Sequence, residues 1–203
     1  EYRLSQKTDN SETARLAALN EEAAAFYRRM LFSPEGKFAL RYLEKRGFDR
    51  EAAVTFGLGY APNDWENLAP LLLDKGYKEG ELLQSGLCLK RTRGSGLYDR
   101  FRHRLIFPIT DMQERVVAFG GRALRSEDEP KYLNSPETHL FQKSRTLYGL
   151  PWAARAMAAK GRGLVGEGYF DLLRCHLADF KETVATLGPA LHAAPPEALR
   201  RRK

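Results

Sequence analysis

The sequence predicts an α+β chain on three observations. Helical periodicity dominates as far as about Gly86, short apolar stretches split by turn residues follow, and from Pro151 helix and strand signals alternate. The expected organisation is a mixed helical and antiparallel-strand subdomain followed by the first β-α-β part of a parallel α/β fold. At 203 residues, 43% hydrophobic and 29% charged, the chain is long enough for one large domain or two small ones.

Glu1 to Asn10 is polar and without periodicity, so residues 1–12 read as the remnant of a linker. From Ser11 to Met30, Leu16, Leu19, Ala23, Phe26, Tyr27 and Met30 recur at helical spacing and predict a helix with one apolar face. Ser33-Pro34 offers a cap with proline in the first turn and Gly47 a stop, which predicts a helix from Pro34 to Arg46. Asp49 and Asn63 are expected to cap two more, Arg50 to Phe56 and Asp64 to Lys75, before a short helix from Lys78 to Gln84.

Strands are expected at Leu87 to Leu89, Leu105 to Ile109 and Arg115 to Phe119. Asp111-Met-Gln-Glu114 has the length of a hairpin loop, which would place Arg100 to Arg104 and Gly120 to Arg122 at one end of the hairpin. Beyond Pro151 the reading is helix to about Ala159, strand Gly163 to Gly166, helix Phe170 to Ala178 and strand Thr183 to Leu187. Pro196 to Arg202 is expected to begin another helix.

The formal charge is +7, and it is local. Lys90 to Arg104 sets six cations against Asp99 alone, and Arg200 to Lys203 closes the chain with four more; the rest is near neutrality. Cys88 and Cys175 have no C-x-x-C spacing and are too few for a zinc ribbon, so both read as ordinary thiols in a reducing compartment. His103, His139, His176 and His192 show no metal spacing. The longest apolar runs are far too short to span a bilayer and no signal peptide precedes the first helix, so the expectation is a cytoplasmic protein without a membrane partner. Glu1 in place of Met suggests an excised piece of a longer chain.

Four blocks between Tyr98 and Lys143 set cations among rings and glycines: Tyr98-Asp-Arg-Phe-Arg-His-Arg104, Phe119-Gly-Gly-Arg122, Pro130-Lys-Tyr-Leu-Asn-Ser-Pro-Glu-Thr138 and Phe141-Gln-Lys143. Such a surface suits a phosphate-bearing polymer or a triphosphate. Each cation alone reads as a solvated surface charge, and their convergence on one hairpin end favours function. Arg46, Arg102 and Arg104 are weaker candidates. Core packing is the expected role of Tyr98, Phe101, Tyr132 and Phe141. Glu167, leaving a strand at a glycine, suits a metal ligand or a general base, with Asp171 one helical turn on. A bare Glu-Gly at a helix start would otherwise be an exposed acid stabilised by the helix dipole.

These blocks, with Tyr42-Leu-Glu-Lys-Arg-Gly47, Leu58-Gly-Tyr-Ala-Pro62, Glu167-Gly-Tyr-Phe-Asp171 and Ala185-Thr-Leu-Gly188, resemble the bacterial replicative DNA primases of the DnaG type. The resemblance implies the amino-terminal part of the RNA-polymerase catalytic core at 13–150, running into a truncated topoisomerase-primase (Toprim) fold at 151–203. It implies synthesis of short RNA primers on single-stranded DNA from ribonucleoside triphosphates during replication, and a replicative helicase partner reached through a domain absent from this chain. It makes Glu167 the catalytic acid, Glu167 and Asp171 ligands of Mg²⁺ or Mn²⁺, and Arg100, Arg122, Lys131, Asn134 and Lys143 the residues that engage template or nucleotide phosphates.

The sequence departs from that pattern in three places. It holds no Asp-x-Asp, carries Gly166 where the family usually has a β-branched residue, and reads Pro189-Ala-Leu-His192 where the family tends to Thr-Ala-Leu-Thr. Two-metal nucleotidyl transfer holds its cations about 3.5–4 Å apart on several carboxylates, so the chain by itself is expected to be at best weakly active. The alternatives are a non-catalytic single-stranded DNA or nucleotide binding module, a phage or mobile-element relative, or another Toprim protein such as a nuclease. The basic blocks speak against the last of these.

Overall fold

The computed structural model of the chain describes residues 2–188, with side chains from Ser11 onward. The expected features at Pro189–His192 and at 196–202 lie outside the described residues. The architecture is α+β, as the sequence predicts. Its elements are α1 (Tyr2–Leu31), a 3-10 turn (Pro34–Gly36), α2 (Lys37–Glu44), α3 (Arg50–Thr55), β1 (Gly59–Ala61), α4 (Leu68–Asp74) and α5 (Glu79–Gln84). Next come β2 (Cys88–Lys90), β3 (Leu97–Asp99), β4 (Arg104–Thr110), β5 (Val116–Ala123), β6 (Tyr132–Asn134), α6 (Leu150–Lys160), β7 (Leu164–Gly166), α7 (Tyr169–Leu177) and β8 (Thr183–Ala185). The chain divides into two compact units, one of residues Glu1–Pro108 with Val116–Leu140, the other of Ile109–Arg115 with Phe141–Lys203. No described helix is long and apolar enough to cross a membrane.

In the first unit the predicted face of α1 is the core: Leu16, Leu19, Ala23, Phe26 and Tyr27 are all buried. α1 begins at Tyr2 rather than Ser11, its first turns running through a polar segment that offers no apolar stripe to read. The helix lies against β1, where a Cβ on Gly59 would stand 2.6 Å from Cβ of Tyr27; only glycine permits that approach. β1 pairs antiparallel with β4 in a sheet of order β1-β4-β5-β6. At the start of β5, Glu21 accepts the Val116 amide at 2.8 Å and Asn20 donates to its carbonyl at 3.2 Å. Asp111 and Arg115 close the loop between β4 and β5, Arg115 Nη2 donating to Asp111 Oδ2 at 2.6 Å.

Two expected caps differ. Ser33 does not cap the next helix: its hydroxyl turns back and donates to the Met30 carbonyl at 2.8 Å. Asn63 does not start a helix either. α4 begins at Leu68, and its cap comes from Asp99, about thirty residues on. Asp99 Oδ2 accepts the amides of Asn67 and Leu68 at 2.8 Å, and Oδ1 accepts that of Ala69 at 2.9 Å. The next residue, Pro70, has no N–H, so the orphan donors of the first turn are satisfied. Asp49, by contrast, caps α3 as expected, accepting from Ala52 at 2.8 Å.

In the second unit β7 and β8 pair in parallel across α7, Val165 opposite Val184, which is the predicted β-α-β unit. Tyr148 bonds the far side of Ala185 through both backbone groups, at 2.9 and 3.0 Å. Its ring meets Tyr169 at 4.7 Å and Trp152 at 5.5 Å. His176 is buried and donates from Nε2 to the Thr183 carbonyl at 2.8 Å, tying α7 to β8; burial lowers its pKa and keeps it neutral. Glu182, also buried, accepts from Lys160 at 2.8 Å and from Arg162 at 2.9 and 3.1 Å.

Two stability predictions follow from these contacts. Asp99→Ala strands three amides in a buried site and is expected to destabilise the first unit by at least about 2 kcal/mol in urea denaturation, with Asp99→Asn intermediate. The Lys160 hydrogen bond, with Arg162 beside it, lowers the Glu182 carboxyl from 4.5 to about 2. A depressed folded-state pKa gives stability that is complete above the unfolded value and is lost as pH falls from about 4.5 through about 2. Trp152 fluorescence in a Trp65→Phe background should show acid unfolding of the second unit in that window, and Glu182→Gln should flatten it.

Candidate nucleic-acid interface

The run from Asp99 to Arg104 alternates anchors with cations. Asp99 is held by α4, the Arg100 amide donates to the Leu87 carbonyl at 2.8 Å, and the His103 amide donates to the Pro62 carbonyl at 3.0 Å. Phe101 is buried edge-on against Tyr27 and Phe119, with ring centres 6.5 and 6.4 Å away. Beneath it lies Gly121, where a Cβ would meet the Phe101 ring at 2.8 Å and Cδ of Arg104 at 3.1 Å. The second glycine of Phe-Gly-Gly-Arg is therefore a space requirement of the two side chains above it.

The run is not an extended strand. His103 sits at φ 50, in the left-handed region, so it does not face away from its neighbours as a strand residue would. Arg100, Arg102, His103 and Arg104 all line one cavity of about 410 Å³, large enough for a nucleotide. Arg102 and Arg104, weaker candidates by sequence, thus share the cavity with Arg100. Tyr98, Glu127, Asp128, Glu129 and Pro130 complete much of its wall.

Each guanidinium is positioned by carbonyl oxygens. Arg100 donates from Nε and Nη2 to the Asn134 carbonyl at 3.3 and 3.1 Å, Arg102 donates to the Asp99 carbonyl, and Arg104 donates to the Pro130 carbonyl at 2.7 Å. Burial lowers the pKa of Arg100 and Arg104 from the ordinary value, which remains far above neutrality. None of the three forms a salt bridge among the described residues, although Glu127, Asp128 and Glu129 line the same cavity. Arg102 also lies 4.1 Å from the ring centre of Trp65, which is 53% exposed and meets Tyr98 edge-on at 5.4 Å. Trp65 is an exposed ring beside the cavity that sequence reading missed, since an aromatic in a loop carries no periodic signal.

A second cavity of about 400 Å³ holds Arg122 and Lys131, with Tyr42, Arg46 and Arg125 beside them. Arg122 donates from Nε to the Tyr42 hydroxyl and from Nη1 to the Tyr132 hydroxyl, the latter at 2.5 Å. Burial opposes its charge, but those two hydroxyls raise its pKa above the ordinary value. Arg46 stacks 3.7 Å from the Tyr42 ring centre, one helical turn along, a spacing by which sequence could have paired them. The segment 125–131 joins β5 to β6, and its Asp128 and Glu129 line both cavities.

Lys143, Glu167 and Asp171 belong to the second unit. Lys143 Nζ lies 2.9 Å from where a Cβ on Gly188 would stand, just beyond β8. Glu167 is exposed at the carboxyl end of β7, and Asp171 is exposed in the first turn of α7. Asp171 packs by its Cβ over Gly166, 3.4 Å from an added Cβ. Neither carboxylate has a hydrogen bond or ion pair among the described residues. No three acidic, histidine or cysteine side chains among those residues are grouped to hold a metal. Phe101 and Phe141 are core, while Tyr132 is 40% exposed. Cys88 is buried, its thiol pushed up by burial, and Cys175 is half-buried.

Residues 26–154 match the family described as DNA primase catalytic core, N-terminal domain. A DNA primase of Synechocystis is 48% identical over 171 residues, an alignment that covers 83% of this chain and 27% of that protein. The chain therefore spans about a quarter of that relative's length. The RNA polymerase domain of Mycobacterium tuberculosis primase DnaG, solved in complex with double-stranded DNA, superposes with a TM-score of 0.83 at 42% identity, covering 87% of this chain and 56% of that one. A DnaG primase catalytic domain bound to single-stranded DNA gives 0.79 at 39% identity, over 89% and 56% of the two chains. The Arg100–Arg104 arch, Arg122 and Lys131 all fall inside the matched span, and the chain belongs to the bacterial DnaG-type DNA primase family.

Proposed function

We propose that this chain supplies the template- and nucleotide-gripping part of a DNA primase, an RNA polymerase that lays short primers on single-stranded DNA. The observation that carries this reading is the cavity of Arg100, Arg102 and Arg104, whose guanidiniums are fixed by carbonyl oxygens and left without carboxylate partners. Phosphate oxygens accept from a guanidinium two donors at a time, and preorganised guanidiniums lose little freedom in meeting them. Trp65 and Tyr98 at the cavity margin suit unstacked bases, which favours a single strand as the ligand. Arg122, Lys131 and Asn134, with Lys143 on the other unit, are assigned to template or triphosphate phosphates.

Glu167 is assigned as the catalytic acid, with Asp171 as its companion towards a divalent cation, Mg²⁺ or Mn²⁺. Exposed, unpaired carboxylates at the carboxyl end of a parallel strand suit a cation. Two acids alone do not make a two-metal site. The described residues thus fit the edge of such a site and not the whole, and no catalytic step is assigned to them through the metal. That shortfall favours a second reading, in which this span by itself binds DNA without synthesis. The proposed organisation is a linker at 1–12, core subdomain at 13–150 and the start of a Toprim fold at 151–203. A ribonucleotide substrate, a replicative helicase partner and a cytoplasmic setting belong to the same proposal.

Fluorescence anisotropy with a labelled single-stranded oligonucleotide tests it. Arg122→Ala or Lys131→Ala should weaken binding and lower the slope of log affinity against log salt by about one each. Unchanged affinity and slope in both would remove the reading. In a chain carrying the family's remaining acids, Glu167→Gln should abolish primer synthesis while DNA binding stays at the wild-type value. Retained synthesis would overturn that assignment.

A further inference from the structure

One side chain of the first cavity carries a buried polar atom that neither packing nor charge accounts for. His103 is 8% exposed and has a left-handed backbone at φ 50, which few residues other than glycine adopt. Its ring is stacked 6.1 Å from Phe38 and meets the Tyr60 ring edge-on at 6.0 Å. The Tyr60 hydroxyl lies 3.0 Å from Nδ1. Nε2, at the other end of the ring, is buried and has no hydrogen-bond partner among the described residues.

The tautomer follows from Tyr60. Its hydroxyl is buried, burial raises its pKa, and the proton it keeps has Nδ1 as its acceptor. Nε2 then carries the imidazole proton. Burial, with Arg125 adding to it, lowers the His103 pKa and holds the ring neutral. Glu127 and Asp128 line the same cavity, yet neither accepts from Nε2. The residue is thus a buried neutral donor, with its proton unclaimed, in a cavity whose other inward groups from the 100–104 run are guanidiniums. A ligand rich in acceptors satisfies all of them together.

We propose that the Nε2–H of His103 donates to a phosphate oxygen of the strand gripped by Arg100, Arg102 and Arg104. The inference rests on the reading of that cavity as a nucleic-acid site and adds to it a contact of a different kind. Arginine contacts displace counterions from the strand. A neutral imidazole donor adds affinity and orientation without doing so.

The difference is measurable on the full 203-residue chain with labelled oligothymidylate across a salt series. His103→Phe keeps an aromatic ring against Phe38 and removes the donor; affinity should fall about 3- to 10-fold at every salt concentration, with the salt slope unchanged. Arg100→Ala in the same series should lose both affinity and about one unit of slope. Wild-type affinity in His103→Phe beside weakened Arg100→Ala overturns the His103 contact and leaves the cavity reading intact. A slope that falls with His103→Phe overturns the neutral donor. Arg100→Ala with wild-type affinity and slope overturns the cavity reading, and the contact with it. Should His103→Phe fail to fold, long-range proton–nitrogen spectra of the wild-type imidazole decide. Protonated Nε2 that shifts downfield as oligothymidylate is added is the expected result, and protonated Nδ1, or an unmoved Nε2–H at saturation, overturns the proposal.

Discussion

Burial of Phe101 against Tyr27 and Phe119 is the constraint on which the candidate site depends. Full burial of a phenylalanine contributes about 1.5–3 kcal/mol, enough to hold a segment dense in like charges against the body of the unit. Asp99 adds a second fastening point through the amino end of α4, and the amides of Arg100 and His103 add a third and a fourth. Between these points the chain arches instead of running straight. An arch puts neighbouring side chains on one concave wall, where an extended strand would have divided them between two faces.

Charge is managed by the same economy of means. A protein that needs stability from its arginines pairs them with carboxylates, as Glu182 is paired with Lys160 and Arg162 in the second unit. In the cavity of the first unit the guanidiniums lean on the carbonyls of Asp99, Pro130 and Asn134, which fix direction without cancelling charge. The nearby acids of segment 127–129 temper the field but form no salt bridge to Arg100, Arg102 or Arg104.

The α+β class, the apolar face of α1, the β-α-β order of the second unit and the Asp49 cap were legible in the sequence because each rests on local periodicity or on a single turn of chain. The Asp99 cap was not, since a carboxylate that serves a helix some thirty residues earlier leaves no local mark. β1, β3 and β6 escaped for a related reason: Gly59-Tyr-Ala61, Leu97-Tyr-Asp99 and Tyr132-Leu-Asn134 carry no aliphatic run to mark a strand, and they exist because a partner strand is present. The basic residues themselves were legible as a cluster. What sequence could not supply was the left-handed turn at His103, which puts that ring in the cavity of Arg100, Arg102 and Arg104 where a strand would have turned it to the other face.

The acids of the second unit show why residue type alone does not assign a role. Glu182 and Glu167 lie on the same small β-α-β unit, one just before β8 and the other just after β7. Glu182 is buried between two cations, and its charge is spent on holding the amino edge of the sheet to the end of α6 and the loop after it. Glu167 stands exposed at the opposite, carboxyl edge, with no partner among the described residues. An exposed carboxylate without a partner contributes nothing visible to stability, and the carboxyl edge of a parallel sheet is where ligands gather in folds of this kind.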